Sequence, residues 1–152
     1  MGGSRILSRE QLAQQVKAHV STQLYDESNT DTKQGTAIYA LSDPREIRCV
    51  RYVGQSRAPR RRFLQHLAAA RLWLPDERPW WVKSPKLLPL YTWIRELHRD
   101  QYRLPVMVIS SWAATTAAAR QAERLRIYEC LARQLPLVNI EAEILGNQIL
   151  LV

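Results

Sequence analysis

The sequence predicts an α/β domain of the α+β kind: a small central sheet, antiparallel or mixed and of about three strands, flanked by helices, with an added helix at the N-terminus. Three observations lead there. Two short runs rich in β-branched and aromatic residues, 36–41 and 48–53, flank a turn-forming Ser42-Asp43-Pro44-Arg45-Glu46 and read as a hairpin. A third short apolar run, 105–110, reads as another strand, and the stretches around these runs carry apolar residues at helical spacing. A length of 152 residues with 46% hydrophobic residues suits one domain with one core.

Taken in order, Ser8-Arg9-Glu10-Gln11 has the form of a capping box, and Leu12, Val16, Val20 and Leu24 follow it every four residues as one helical stripe, with His19 beside it. The polar run from Asp26 to Gly35 breaks that period. Residues 1–34 therefore read as an appendage of helix and linker, 35–140 as the main domain and 141–152 as a C-terminal extension. Within the hairpin, pairing Leu41 with Arg48 sets Tyr39 opposite Val50 and puts Tyr52 on the same face as Tyr39. After Gly54 the period changes: Pro59 suits a first helical turn, and Phe63, Leu64, Leu67 and Ala68 form an apolar face. Arg62 and His66, four residues apart, project from one side of this helix. Residues 72–89 hold Trp73, Trp80 and Trp81 among Pro75, Pro79, Pro85 and Pro89, which reads as an ordered loop. Leu90, Trp93, Ile94 and Leu97 restore helical spacing, and Ala117 to Gln134 is rich in helix formers.

The chain carries 22 basic and 14 acidic residues, a net charge of +8, and the excess falls between residues 35 and 140. Arginine supplies most of it, the side chain whose planar fork grips a phosphate through two hydrogen bonds. A polyanionic partner is expected. Arg57, Arg60, Arg61 and Arg62 crowd the first turn of the helix after Gly54, where the helix dipole already favours an anion. Trp80 and Trp81, flanked by Arg78, Lys83 and Lys86, suit either the core or stacking on unpaired bases. Arg57, Arg60, Arg61, Trp80, Trp81 and Lys83 are thus the candidate nucleic-acid contacts. Cys49 and Cys130 have no metal-ligand spacing and read as reduced core residues. With no apolar run long enough for a signal peptide or a membrane span, a cytoplasmic location without a membrane partner is expected.

Read together, Ala37-Ile38-Tyr39, Tyr52-Val53-Gly54, Arg62, His66, Glu123 and Asn139 form an ordered set that resembles the GIY-YIG nuclease family over roughly residues 35–140. The most specific part is Tyr52-Val53-Gly54-Gln55-Ser56 followed by Arg62-Phe63-Leu64-Gln65-His66. Ala37 stands where the family usually has glycine. The resemblance implies a GIY-YIG-like fold and a metal-dependent endonuclease that hydrolyses phosphodiester bonds in DNA. It implies Tyr39 as general base, oriented by His66 and supported by Tyr52, with Arg62 as phosphate clamp. It further implies Glu123 as ligand of one divalent cation, Mg2+ or Mn2+, and Asn139 as a pin on the site's backbone. Glu129 is a second carboxylate on the same helix, and lies about 120° around it from Glu123.

Phosphodiester hydrolysis needs an activated water, neutralisation of charge growing on the phosphoryl oxygens and help for the departing oxygen, which matches those residue types. Single- and double-stranded DNA are both open as substrates, and so is RNA, because such a site contacts the phosphate. The alternative is a catalytically inactive nucleic-acid-binding or adaptor module on the same fold. The stripe of the N-terminal helix needs apolar cover, from its own domain or from a second copy in a homo-oligomer.

Overall fold

The computed structural model describes residues 7–22, 35–76, 78–101 and 103–139. Leu24, the linker 26–34 and the extension 141–152 lie outside the described residues. The elements run α1 (Arg9–Thr22), β1 (Thr36–Asp43), β2 (Glu46–Ser56), α2 (Pro59–Ala69), α3 (Leu88–Gln101), β3 (Val106–Ala113) and α4 (Thr116–Ala132). The three strands form one antiparallel sheet in the order β2-β1-β3. Every residue of β1 after Thr36 is buried, because the strand has a neighbour on each side and helices over both faces of the sheet.

The hairpin register differs from the expected one. Asp43 pairs with Glu46 as a tight turn requires, but Ser42 pairs with Val50, Leu41 with Tyr52 and Tyr39 with Gly54. Irregularities between Leu41 and Ser42 and between Ser42 and Asp43 let β2 take up extra residues, which slides its distal half along β1. The slide is even in parity, so Tyr39 and Tyr52 still share a face. Tyr39 then faces a residue with no side chain, where the expected register had Val50.

The sheet divides the core in two. On one face Tyr39, Leu41 and Met107 meet Val20 of α1, Phe63 and Leu67 of α2, and the apolar side of α3. On the other, Ile38, Ala40, Val50 and Val53 pack against Ala119, Ile127 and Cys130 of α4. Ser8 and Gln11 cap α1 reciprocally, the Ser8 N–H donating to Gln11 Oε1 at 2.9 Å and the Gln11 N–H to Ser8 Oγ at 3.2 Å. This helix lies against α2 of its own domain, burying Leu12 and Val20, while His19 Nε2 donates to the Pro105 carbonyl at 2.7 Å. Thr115 caps α4 by accepting from the Ala118 N–H at 3.1 Å.

Between α2 and α3 the chain is irregular but held. Arg95 of α3 donates through Nη1 to the carbonyls of Ala70 (2.9 Å) and Arg71 (2.7 Å), and through Nη2 to those of Leu74 (3.0 Å) and Asp76. One guanidinium thus gathers the carbonyls that follow the end of α2.

Candidate active site

The site forms where β1, β2, α2 and α3 meet. Tyr39 projects from the central strand across Gly54 of the edge strand: a Cβ at position 54 would lie 2.5 Å from the Tyr39 hydroxyl, 2.6 Å from its Cζ and 2.9 Å from Tyr52 Cε2. The glycine is required here for space. Its absent side chain is the slot that the phenol fills, and Tyr52 packs beside it with ring centroids 6.3 Å apart.

His66 receives that phenol. The Tyr39 hydroxyl is 2.7 Å from His66 Nε2, and His66 Nδ1 is 3.1 Å from the hydroxyl of Tyr91 on α3. The imidazole is completely buried, and burial together with the neighbouring Arg62 charge pushes its pKa from 6.5 down to about 3. It is therefore neutral, with one ring nitrogen donating and the other accepting. The Arg62 charge is close enough to the Tyr39 oxygen to act on its pKa. The chain is satisfied with the proton on either ring nitrogen, one phenol donating to the bare nitrogen and the other accepting from the N–H. Burial raises Tyr39 well above the ordinary phenol range, the nearby Tyr52 adds to this, and Arg62 opposes it. Tyr39 is thus a neutral phenol. Burial also raises Tyr91. Tyr91 did not figure among the residues singled out from sequence: it sits within the apolar pattern of α3, and nothing in that pattern marks a phenol whose partner is 25 residues away.

Arg62 lies in the first half of α2 with Nη1 3.4 Å from Gln65 Oε1. The helix begins without a side-chain cap and without an acidic residue in its first turn, so its N-terminal charge is opposed by nothing local. Arg57, Arg60 and Arg61 are exposed around that end. Phe63 and Leu67 on the adjoining face fix the helix in the core and hence the direction in which Arg62 and His66 project.

Glu123 reaches the site from α4, on the opposite face of the sheet. Its Oε2 accepts from Gln55 Nε2 at 2.6 Å, and its charge is close enough to raise Tyr39 further. Glu129 is exposed and paired with Arg126 at 3.0 Å. Asn139 closes the other flank of β2: its Oδ1 accepts from the Val53 N–H at 2.9 Å and its Nδ2 donates to the Val53 carbonyl at 2.8 Å. Both of its amide groups are thereby spent on the backbone beside Gly54. Among the described residues no group of three or more His, Cys, Asp or Glu is placed to hold a metal ion. Glu123 is a hard oxygen donor on a half-buried wall, and it suits Mg2+ or Mn2+ only as one ligand of a shell of roughly six completed by water and substrate oxygens.

The tryptophan pair separates. Trp81 is docked, its Nε1 donating to the Ala69 carbonyl at 2.7 Å, with the guanidiniums of Arg95 and Arg71 over its ring at 4.9 and 5.2 Å. Trp80 stands out from the surface, and Lys83 beside it is exposed. No helix among the described residues is long and apolar enough to cross a membrane. No family model matches the chain, and neither does any curated protein or solved structure.

Proposed function

We propose that this chain is a divalent-metal-dependent endonuclease of GIY-YIG type that hydrolyses phosphodiester bonds in DNA. The observation that carries the reading is the buried Tyr39–His66–Tyr91 hydrogen-bond chain with Arg62 facing its outer phenol and Glu123 approaching from the other side of the sheet. Arg62 binds the phosphate and neutralises its equatorial oxygens. Tyr39, its proton released to solvent under the positive charges of Arg62 and the bound cation, orients the attacking water and takes a proton from it as general base. His66, held by Tyr91, orients the phenol. Glu123 would hold Mg2+ or Mn2+, which would supply Lewis acidity for the phosphate and the departing oxygen. Asn139 keeps the strand beside Gly54 from shifting.

A second reading, a non-cleaving nucleic-acid-binding or adaptor module, draws on one observation: burial holds Tyr39 well above the range in which a phenol gives up its proton near neutrality. One assay separates the two. Purified protein is incubated with single-stranded, duplex and branched DNA and with RNA, each with Mg2+, Mn2+ or chelator. Metal-dependent cutting that Glu123→Ala abolishes and Glu129→Ala retains is expected. Binding without cutting under every condition selects the second reading, and the reverse mutational pattern moves the ligand to Glu129.

A further inference from the structure

We propose that Trp80 is a stacking platform for an unpaired base, which directs this chain to nucleic acid with single-stranded character; the inference rests on the nuclease reading only for the position of the cut. Trp80 is 63% exposed, the most exposed large apolar side chain among the described residues. Its neighbour shows what the same residue does when it serves packing, for Trp81 spends its N–H on the Ala69 carbonyl and lies beneath two guanidiniums. Among the described residues nothing docks Trp80 in that way, yet its mount is built. The Trp80 backbone N–H donates to the Arg78 carbonyl at 2.8 Å, and the Val82 backbone N–H to that of Pro79 at 3.0 Å. Trp81 meets the Trp80 ring edge-on, with centroids 5.5 Å apart at 84°. Arg95 ties the preceding loop to α3 through several carbonyls. An indole held in place on an ordered loop and left wet loses little entropy when a planar partner covers it.

The charge around the ring selects that partner. Arg78 and Lys83 are exposed on either side of it in sequence, and Lys83 Nζ reaches the Trp80 carbonyl at 3.5 Å, which sets a cation at its backbone. A flat apolar face with a cation beside it fits a base joined to phosphates, and every base offers a face that does not depend on sequence. A base within a duplex has both faces occupied, so an unpaired one is required. Trp81, whose ring meets that of Trp80, is pinned to Ala69 at the C-terminal end of α2, seven residues or roughly 10 Å of helix axis beyond Arg62.

The test uses the full chain in chelator, a short oligothymidylate and a blunt duplex of equal length, with binding read by fluorescence anisotropy and by quenching of tryptophan emission. Trp80→Ala should weaken single-strand binding roughly ten- to a hundredfold, remove most of the quenching and leave duplex affinity unchanged, while Trp80→Phe keeps the single-strand preference. Unchanged affinity for the single strand, or equal losses on both probes, overturns the platform; in the latter case Trp80 serves the general charge field or a protein partner. A protein that cuts with metal but is indifferent to Trp80→Ala loses this inference alone. One that binds single strands through Trp80 yet cuts nothing loses the nuclease reading alone.

Discussion

Replacing His66 by Gln should remove a defined part of the protein's acid sensitivity. The side chain is completely buried with a pKa near 3, against 6.5 for an exposed imidazole. Between those values the unfolded chain binds a proton that the folded chain refuses, so stability rises with pH across the window at about 1.4 kcal/mol per pH unit. Going from about pH 7.5 down to about pH 5, the wild type therefore loses about 2 kcal/mol through this group alone. His98, half-buried and also depressed, adds to the slope in both proteins, and so must be left in place. The assay is urea unfolding of wild type and His66→Gln at both pH values, read as the difference of differences. Glutamine leaves the neighbouring phenols one polar partner, and any loss of stability common to both pH values cancels. Equal pH slopes in the two proteins would mean that His66 is charged or solvated in the folded state, and the neutral relay between Tyr39 and Tyr91 would fall with it.

Gly54→Ala should cost about 1–3 kcal/mol by overpacking, even though alanine is the better strand former, and should abolish cutting by displacing the Tyr39 hydroxyl; a variant as stable and active as wild type would show that the slot has slack. Arg62→Ala should reduce the cutting rate far more than Arg60→Ala or Arg61→Ala, whose main effect falls on affinity and its salt dependence. Similar rate losses for all three, with unchanged salt slopes, would deny Arg62 a separate role. Tyr91→Phe should leave the fold intact, at a cost of about 1 kcal/mol for the lost hydrogen bond, but shift the pH profile of cutting. A profile identical to wild type would make Tyr91 a packing residue only.

The fold was legible where one physical rule acted alone. Richness in β-branched and aromatic residues marked the hairpin, helical spacing marked α2 and α3, a run of helix formers marked α4, and Ser8 with Gln11 marked the start of α1. The register was not legible, because extra residues taken up near Ser42 leave the alternation of each strand unchanged while moving one along the other. Nor was the fate of two adjacent tryptophans: identical in sequence terms, they differ because only one lies within reach of the carbonyl at the end of α2. The candidate site residues stood out through their order along the chain. Tyr91 and Gln55 did not, since their contacts depend on how α3 and α4 settle against the sheet, which no local pattern records.

The irregular pairing in the hairpin also separates two tasks within one pair of strands. Distal to it lie the turn and the exposed Ile47 and Arg48; proximal to it lie Tyr39 opposite Gly54 and Val53 pinned by Asn139. A change in length at residues 44–48 is absorbed where register is already broken, and the pairs beyond it keep their places. The tip of this hairpin is therefore the natural point for inserting a peptide tag or a graft from another protein, and a one-residue length change placed at 51–55 would instead turn every later side chain of the strand to the wrong face.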